Sequence, residues 1–211
     1  VARRLRTDIP GPDWRIPTAA LRDPGLDALF PAHLPRPLAL VVDLGFGRGE
    51  LLLHLAQAEP ERAYLGVDYS RKRVLKMARR LAKTPIETVR LVEATAEAVV
   101  AELASASVTG FWINFPDPWP KKRHHRRRLL RPEFVRELAR RLAPGGFLEV
   151  ATDHEDYAQW IHAVLAGEPL LANRCAPEPF RRDPPARVPT AYELEWRAAG
   201  RAVHYFSYTR R

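Results

Sequence analysis

Residues 38–50 read Leu-Ala-Leu-Val-Val-Asp-Leu-Gly-Phe-Gly-Arg-Gly-Glu. The apolar run 38–44, with two adjacent valines, predicts a short strand buried on both faces. Glycines at 45, 47 and 49 then predict a tight turn, and Glu50 opens a helical stretch that closes before Pro60. A buried strand, a glycine turn and a helix in that order begin a βαβ unit, and so an α/β fold.

The alternation continues outward from this unit. Strands are expected at 63–67, 88–92, 110–115 and 147–151, and a last one at 202–208. Helices are expected from Ser70 as N-cap to about residue 82, at 95–103, from Pro132 to 142, and at 154–165. In the first of these Leu75, Ala78 and Leu81 share one face. Pro132 suits a first helical turn, and Pro144-Gly145-Gly146 stops the helix before it. The prediction is a mainly parallel, doubly wound sheet with helices on both faces. Ligands of such sheets lie beyond the carboxyl ends of the strands. Two segments read as irregular. Residues 1–37 carry seven prolines and form a Pro/Arg-rich N-terminal arm with a short helix near 19–29; residues 176–189 carry five more and form a loop. The domain proper is then 38–211.

Net charge is +9, and residues 121–131 hold seven Lys/Arg and no acid, leaving +2 for the rest. So local a surplus suits a polyanion-binding strip rather than a generally basic protein. A single cysteine, Cys175, excludes an intrachain disulfide and a C-x-x-C zinc site. No metal is expected. No apolar run reaches the roughly 18 residues of a membrane span, and the N-terminus lacks the apolar core of a signal peptide, so a cytoplasmic location is expected. Asn and Gln number two each, with one Met and one Cys, a depletion seen in thermophiles. Base composition of the genome accounts equally for 29 Arg against 5 Lys.

The glycine turn has a chemical preference. The dinucleotide fingerprint is G-x-G-x-x-G, and its third glycine position is Glu50 here. An acid is a poor neighbour for a pyrophosphate at a helix N-terminus. S-adenosylmethionine is a nucleoside without phosphate, and its amino-acid end carries an ammonium group. Asp43, at the end of the first strand, either meets that ammonium or shapes the loop. Asp68, at the end of the second, is placed to accept both ribose hydroxyls, a role that serves NAD as well.

Residues 114–128 read Asn-Phe-Pro-Asp-Pro-Trp-Pro-Lys-Lys-Arg-His-His-Arg-Arg-Arg. Pro116 and Pro118 restrict the backbone on both sides of Asp117, so this acid is held rather than mobile. The cations behind it suit phosphates, with Arg126, Arg127 and Arg128 as contacts to a nucleic-acid backbone. His124 and His125 read as solvated. Trp119 either stacks on a base or closes a pocket. The N-terminal Arg3, Arg4 and Arg6 either reach RNA or carry no contact.

Five segments together resemble the bacterial tRNA (guanine-N7)-methyltransferases, the TrmB family. They are Asp-Leu-Gly-Phe-Gly-Arg-Gly at 43–49, Gly-Val-Asp at 66–68, Asn-Phe-Pro-Asp-Pro-Trp-Pro-Lys at 114–121, Ala-Thr-Asp at 151–153, and Arg-Val-Pro-Thr-Ala-Tyr-Glu at 187–193. The glycine turn is common to many methyltransferases; the Phe-Pro-Asp-Pro-Trp segment and the late Thr-x-Tyr-Glu are far more specific. The resemblance implies a seven-stranded Rossmann-like sheet, S-adenosylmethionine as donor and guanine 46 of tRNA as acceptor. It implies cofactor contacts from Asp43, Gly45, Gly47, Gly49, Asp68 and Asp117, with Asp117 also at the catalytic centre. It implies substrate contacts from Lys121, Asp153, Thr190, Ala191, Tyr192 and Glu193. Near the adenine, where the family usually has an acid, Thr95 stands between Glu93 and Glu97. Either its hydroxyl or a backbone amide serves the adenine, or a neighbouring glutamate reaches in.

N7 of guanine carries a free lone pair, so no proton need leave before it attacks a sulfonium methyl. Alignment of the reacting atoms, roughly 3–3.5 Å apart, then supplies most of the catalysis. A fixed carboxylate is expected to stabilise the charge that develops on the ring and to accept its N1–H and N2–H. The base must leave its stack to be reached. Three other readings share parts of the pattern: an NAD-dependent oxidoreductase, a methyltransferase acting on an exocyclic amine, and a non-catalytic RNA-binding protein.

Overall fold

The computed structural model describes residues 6–22, 25–184 and 188–211. Arg3, Arg4 and Arg187 lie outside the described residues. The chain divides into two compact units, one ending at Leu103 and one beginning at Ala104.

In the first unit a 3-10 turn at Thr18–Leu21 and a single-turn α1 (Gly25–Ala28) come first. They precede β1 (Leu40–Leu44), α2 (Glu50–Ala58), β2 (Ala63–Asp68), α3 (Arg71–Leu81), β3 (Val89–Glu93) and α4 (Ala96–Glu102). The strands lie in the order β3-β2-β1 and all run parallel, with Asp43 opposite Gly66 and Asp68 opposite Glu93. Every residue of β1 and β2 is buried, which is why these segments read as continuous apolar runs. Helix α3 buries Val74, Leu75, Met77, Ala78 and Leu81, while Arg71, Lys72, Arg73, Lys76 and Arg80 stay exposed. Each large apolar side chain so buried contributes about 1.5–3 kcal/mol. Ser70 holds the N-cap position but makes no side-chain cap bond; its N–H donates instead to Asp68 Oδ1 at 2.8 Å.

The described residues of the N-terminal arm are more ordered than its prolines suggest. Ile16 N donates to Leu91 O at 2.9 Å and Leu91 N to Trp14 O at 3.0 Å, so Arg15 pairs in parallel with Leu91. A few arm residues thereby cover the free edge of β3. Arg90 locks them down: its guanidinium stacks on Trp14 at 4.5 Å and Phe30 at 5.1 Å, and burial lowers its pKa.

The second unit contains β4 (Val108–Asn114), a 3-10 segment (Lys122–Arg127), α5 (Pro132–Arg141), β5 (Leu142–Thr152), α6 (Glu155–Ala166), β6 (Leu171–Asn173), α7 (Ala191–Ala198) and β7 (His204–Arg210). The strand order is β4-β5-β7-β6. β4 and β5 are parallel, with Asn114 opposite Ala151, and β7 runs antiparallel to both its neighbours. The seven strands are thus mainly parallel, as expected. Pro132 opens α5, also as expected. Pro144-Gly145-Gly146 does not separate α5 from β5, because β5 already begins at Leu142 and its pairing with β4 shifts register between Val108 and Gly110. The Phe147 ring fills the space beside Gly110, where an added Cβ would meet it at 2.0 Å. Among the described residues no helix is long and apolar enough to cross a membrane.

Candidate functional site

The glycine turn is built by backbone hydrogen bonds. Val67 O accepts from both Gly45 N at 2.7 Å and Phe46 N at 3.2 Å, curling the turn over the end of β2. Gly45, Gly47 and Gly49 have φ of +83°, +60° and +77°, a region that side chains disfavour. Their surroundings differ. A Cβ on Gly45 would meet nothing within 4 Å and one on Gly47 only Gly45 O at 3.9 Å, whereas one on Gly49 would lie 2.5 Å from Met77 Sδ. Gly45 and Gly47 therefore leave open space in which a ligand can approach the backbone. Gly49 is required for close packing of α2 against α3.

Asp68 fastens this turn. Its Oδ2 accepts from Gly47 N at 3.2 Å and from Arg73 Nη1 at 3.4 Å, and its Oδ1 from Ser70 N. The carboxylate is 2% exposed and still has lone pairs for further donors. Asp43 is equally buried. Thr95 is the N-cap of α4, its Oγ1 accepting from Ala98 N at 3.3 Å, a bond worth about 1 kcal/mol. Glu93 ends β3 and is exposed; Glu97 lies in the first turn of α4.

In the second unit Asp117 sits on the loop that leaves the carboxyl end of β4. Phe115 N donates to Ala151 O at 2.8 Å, extending the ladder one residue beyond Asn114. Phe115 and Trp119 then adopt φ of +53° and +43°. Left-handed backbone costs a bulky residue about 1–3 kcal/mol, so the surroundings must hold both ends of Pro116-Asp117-Pro118. The Asp117 side chain is exposed.

The cationic strip is not one surface. Lys121, Lys122, Arg123, Arg126 and Arg127 are exposed. Arg128 is turned inward, 1% exposed, and departs from its expected role as a phosphate contact. Its Nε donates to Pro118 O at 2.9 Å, its Nη2 pairs with Asp156, and its guanidinium lies against Tyr157 and Trp160. Arg131 Nη1 donates to Arg126 O and Arg128 O at 3.0 and 2.7 Å, so it too holds backbone. The two histidines are half-buried rather than solvated. His124 meets the Trp119 ring edge-on at 5.9 Å, and His125 does the same to Trp160. Arg127 lies 5.0 Å over Trp119, which is thus packed by members of the strip.

Asp153 follows β5, whose carboxyl end is adjacent to that of β4. Arg201 Nη1 stands 3.4 Å from its Oδ2 and also lies 3.7 Å over the Trp196 ring. Thr190 caps α7, accepting from Glu193 N at 3.1 Å. Glu193 is fully buried and accepts the Tyr205 hydroxyl at 2.6 Å. Ala191 begins the helix. Tyr192 packs on Phe115 at 4.8 Å and on Trp196 at 5.3 Å, joining α7 to the Asp117 loop. Its phenol pKa is raised, chiefly by burial; Trp196 and Arg201 oppose the shift, and the negative charges of Asp153 and Asp117 add to it. Tyr192 thus packs against the loop that carries Asp117, with exposed cations in the same unit.

Sequence reasoning missed the inward turn of Arg128, and with it Asp156, Trp160 and Arg201. A run of seven cations carries no mark of which one turns inward. The one available signal was Asp156 and Tyr157 standing four and three residues before Trp160, so that an acid and a ring each neighbour the indole on α6.

Residues 38–206 match the family described as "Putative methyltransferase". The tRNA (guanine-N(7)-)-methyltransferase of Halorhodospira halophila is 41% identical over 184 residues, covering 87% of this chain and 78% of the relative. That of Leifsonia xyli subsp. xyli is 41% identical over the same length, covering 87% of this chain and 79% of its own. Among solved structures, the 16S rRNA methyltransferase KamB aligns with a TM-score of 0.59 at 18% identity, over 81% of this chain and 87% of that one. The last likeness gives the fold, the Rossmann-like sheet of class I methyltransferases. With sequence identity of this extent over most of both chains, the chain belongs to the bacterial tRNA (guanine-N7)-methyltransferases, the TrmB family.

Proposed function

We propose that this methyltransferase transfers the methyl group of S-adenosylmethionine to N7 of guanine 46 in tRNA. The observation that carries the reading is the packing of Tyr192 on Phe115 at 4.8 Å, which sets α7 against the loop bearing Asp117, with Asp153 at the end of the adjacent β5 and five exposed cations in the same unit. Two acids suit the N1–H and N2–H donors of guanine, and cations suit the RNA backbone.

The glycine turn fits the donor. Open space before Gly45 and Gly47 admits a nucleoside without phosphate, and Glu50 at the start of α2 disfavours a diphosphate there. Asp43, Gly45, Gly47 and Asp68 would hold the donor. Gly49 would serve by shaping the turn, and Thr95 would serve the adenine. When bound, S-adenosylmethionine supplies an electrophilic methyl on a sulfonium sulfur. Guanine N7 would offer that methyl its own lone pair while the S–CH3 bonding pair returns to sulfur and the thioether leaves, so the chain need not supply a general base. Asp117 would contact the cofactor and stabilise the positive charge that the guanine ring gains. Lys121, Asp153, Thr190, Ala191, Tyr192 and Glu193 would form the substrate side, with Glu193 acting from its buried position on α7. The exposed cations would hold tRNA phosphates while the base leaves its stack. A protein with this substrate works in the cytoplasm.

The test is incubation with S-adenosylmethionine and unmodified tRNA, followed by borohydride reduction and aniline. Strand scission at position 46 is expected. Methylation on an exocyclic amine, with no scission, would favour the other methyltransferase reading. Binding of labelled NAD in place of labelled S-adenosylmethionine would favour an oxidoreductase.

A further inference from the structure

We propose that Arg128, held by Asp156, is a positioning residue that fixes the Asp117 loop in its reactive shape. The inference rests on the proposed role of Asp117.

The loop 115–119 turns through left-handed backbone at Phe115 and again at Trp119. One end is anchored by Phe115 N to Ala151 O. The other is anchored by Arg128, whose Nε donates to the carbonyl of Pro118, the residue directly after Asp117. Guanidinium geometry makes this possible, because its planar fork donates to Pro118 O and to Asp156 from different nitrogens. A lysine ammonium is a single point and does not reproduce both bonds in one plane.

The anchor is itself fixed. Arg128 is 1% exposed, and Tyr157 and Trp160 lie 4.9 and 5.2 Å from the guanidinium carbon. Trp160 Nε1 donates to Leu130 O at 2.7 Å, and Leu130 N donates to the Tyr157 hydroxyl at 3.3 Å. The segment 128–130 is thus tied to α6 at three points. The groups facing Asp156 are Arg128, His125 and His154, all cationic or able to become so, which keeps its carboxylate ionised and its pKa low. An arginine so placed is closed to phosphate. It acts on the reaction through the backbone beside Asp117.

Two variants test this, Arg128→Lys and Asp156→Asn. The second changes a side chain that is 61% exposed, so it decides the matter if the first does not fold. Each is expected to lower kcat for tRNA methylation about 10- to 100-fold, since small misplacements at a reacting centre cost that much. KM for S-adenosylmethionine and the salt slope of tRNA binding should stay within twofold of wild type. Hydrogen exchange of the 111–121 peptide should be faster in both. Full kcat in a folded variant, or a loss carried by weaker tRNA binding with a flatter salt slope, would overturn the proposal. So would unchanged exchange in the 111–121 peptide, whatever the activity. A wild-type protein that methylates no tRNA would instead overturn the proposed function, and the exchange measurement would still decide the clamp.

Discussion

The N–H of Gly47 donates to Asp68 Oδ2 at 3.2 Å, and this bond joins those from Gly45 N and Phe46 N to Val67 O in tying the glycine turn after β1 to the end of β2. The same carboxylate accepts from Ser70 N at 2.8 Å, so it orders both loops that follow the first two strands. Asp68 therefore has a structural duty besides any contact to a ribose. Asp68→Asn keeps one acceptor oxygen but replaces the other by a donor that faces backbone N–H groups. It should raise KM for S-adenosylmethionine about 10-fold or more and lower thermal stability by about 1–3 kcal/mol, the cost of leaving buried donors unpaired. Equilibrium denaturation with donor titration checks it. Weaker donor binding with unchanged stability would show that the turn holds itself.

Asp117 is exposed at the carboxyl end of β4, and its proposed task is to stabilise charge on the guanine ring rather than to remove a proton. Asp117→Ala should lower kcat about 100- to 1000-fold, the scale seen when one preorganised electrostatic interaction is removed. Binding of S-adenosylmethionine should fall much less. Asp117→Asn should lose nearly as much, because an amide keeps the shape without the charge. Rapid single-turnover kinetics separates these from product release, and an unimpaired Asn variant would exclude the electrostatic role.

Division of the cationic strip makes a sharper claim about RNA. Arg123 and Arg126 are exposed, and their side chains are open to phosphate. Replacing both by Ala should weaken tRNA binding and reduce the salt slope by roughly 0.7–0.9 for each phosphate no longer neutralised. The Arg128→Lys change should leave that slope intact. Filter binding across a range of salt concentrations reads both, and a slope unaltered by the double replacement would return those two side chains to plain solvated surface.

The legible parts of this chain are those where burial leaves no choice. β1 and β2 are buried on both faces, so their sequences had to be apolar runs, and the glycine turn between strand and helix had to follow. Residues with no such compulsion were missed. β6 has three residues, too few for a period to show. α7 buries only Glu193 while Tyr192 and Leu194 are exposed, the inverse of an amphipathic stripe, and it follows a proline-rich stretch. Asp117 was legible because prolines frame it. Its anchor was not, since Asp156 lies 28 residues beyond Arg128 and only the packing of α6 brings them together.

The Arg128–Asp156 pair also has a consequence for pH. The pKa of Asp156 is lowered, chiefly by its hydrogen bond from Arg128 and then by the charges of Arg128, His125 and His154. A carboxyl whose folded value lies below its unfolded value of about 3.9 stabilises the folded state above that pH. The contribution is lost as pH falls through the lower, folded value. Wild type should therefore have a higher urea midpoint than Asp156→Asn at pH 7, and the gap should close only below about pH 4. The side chain is largely exposed, so solvent screening keeps the gap small. Urea titrations of both proteins from pH 7 down to the lowest pH at which they fold would measure it. A gap that persists unchanged well below pH 4 would mean that the charge of Asp156 does not set the strength of the clamp.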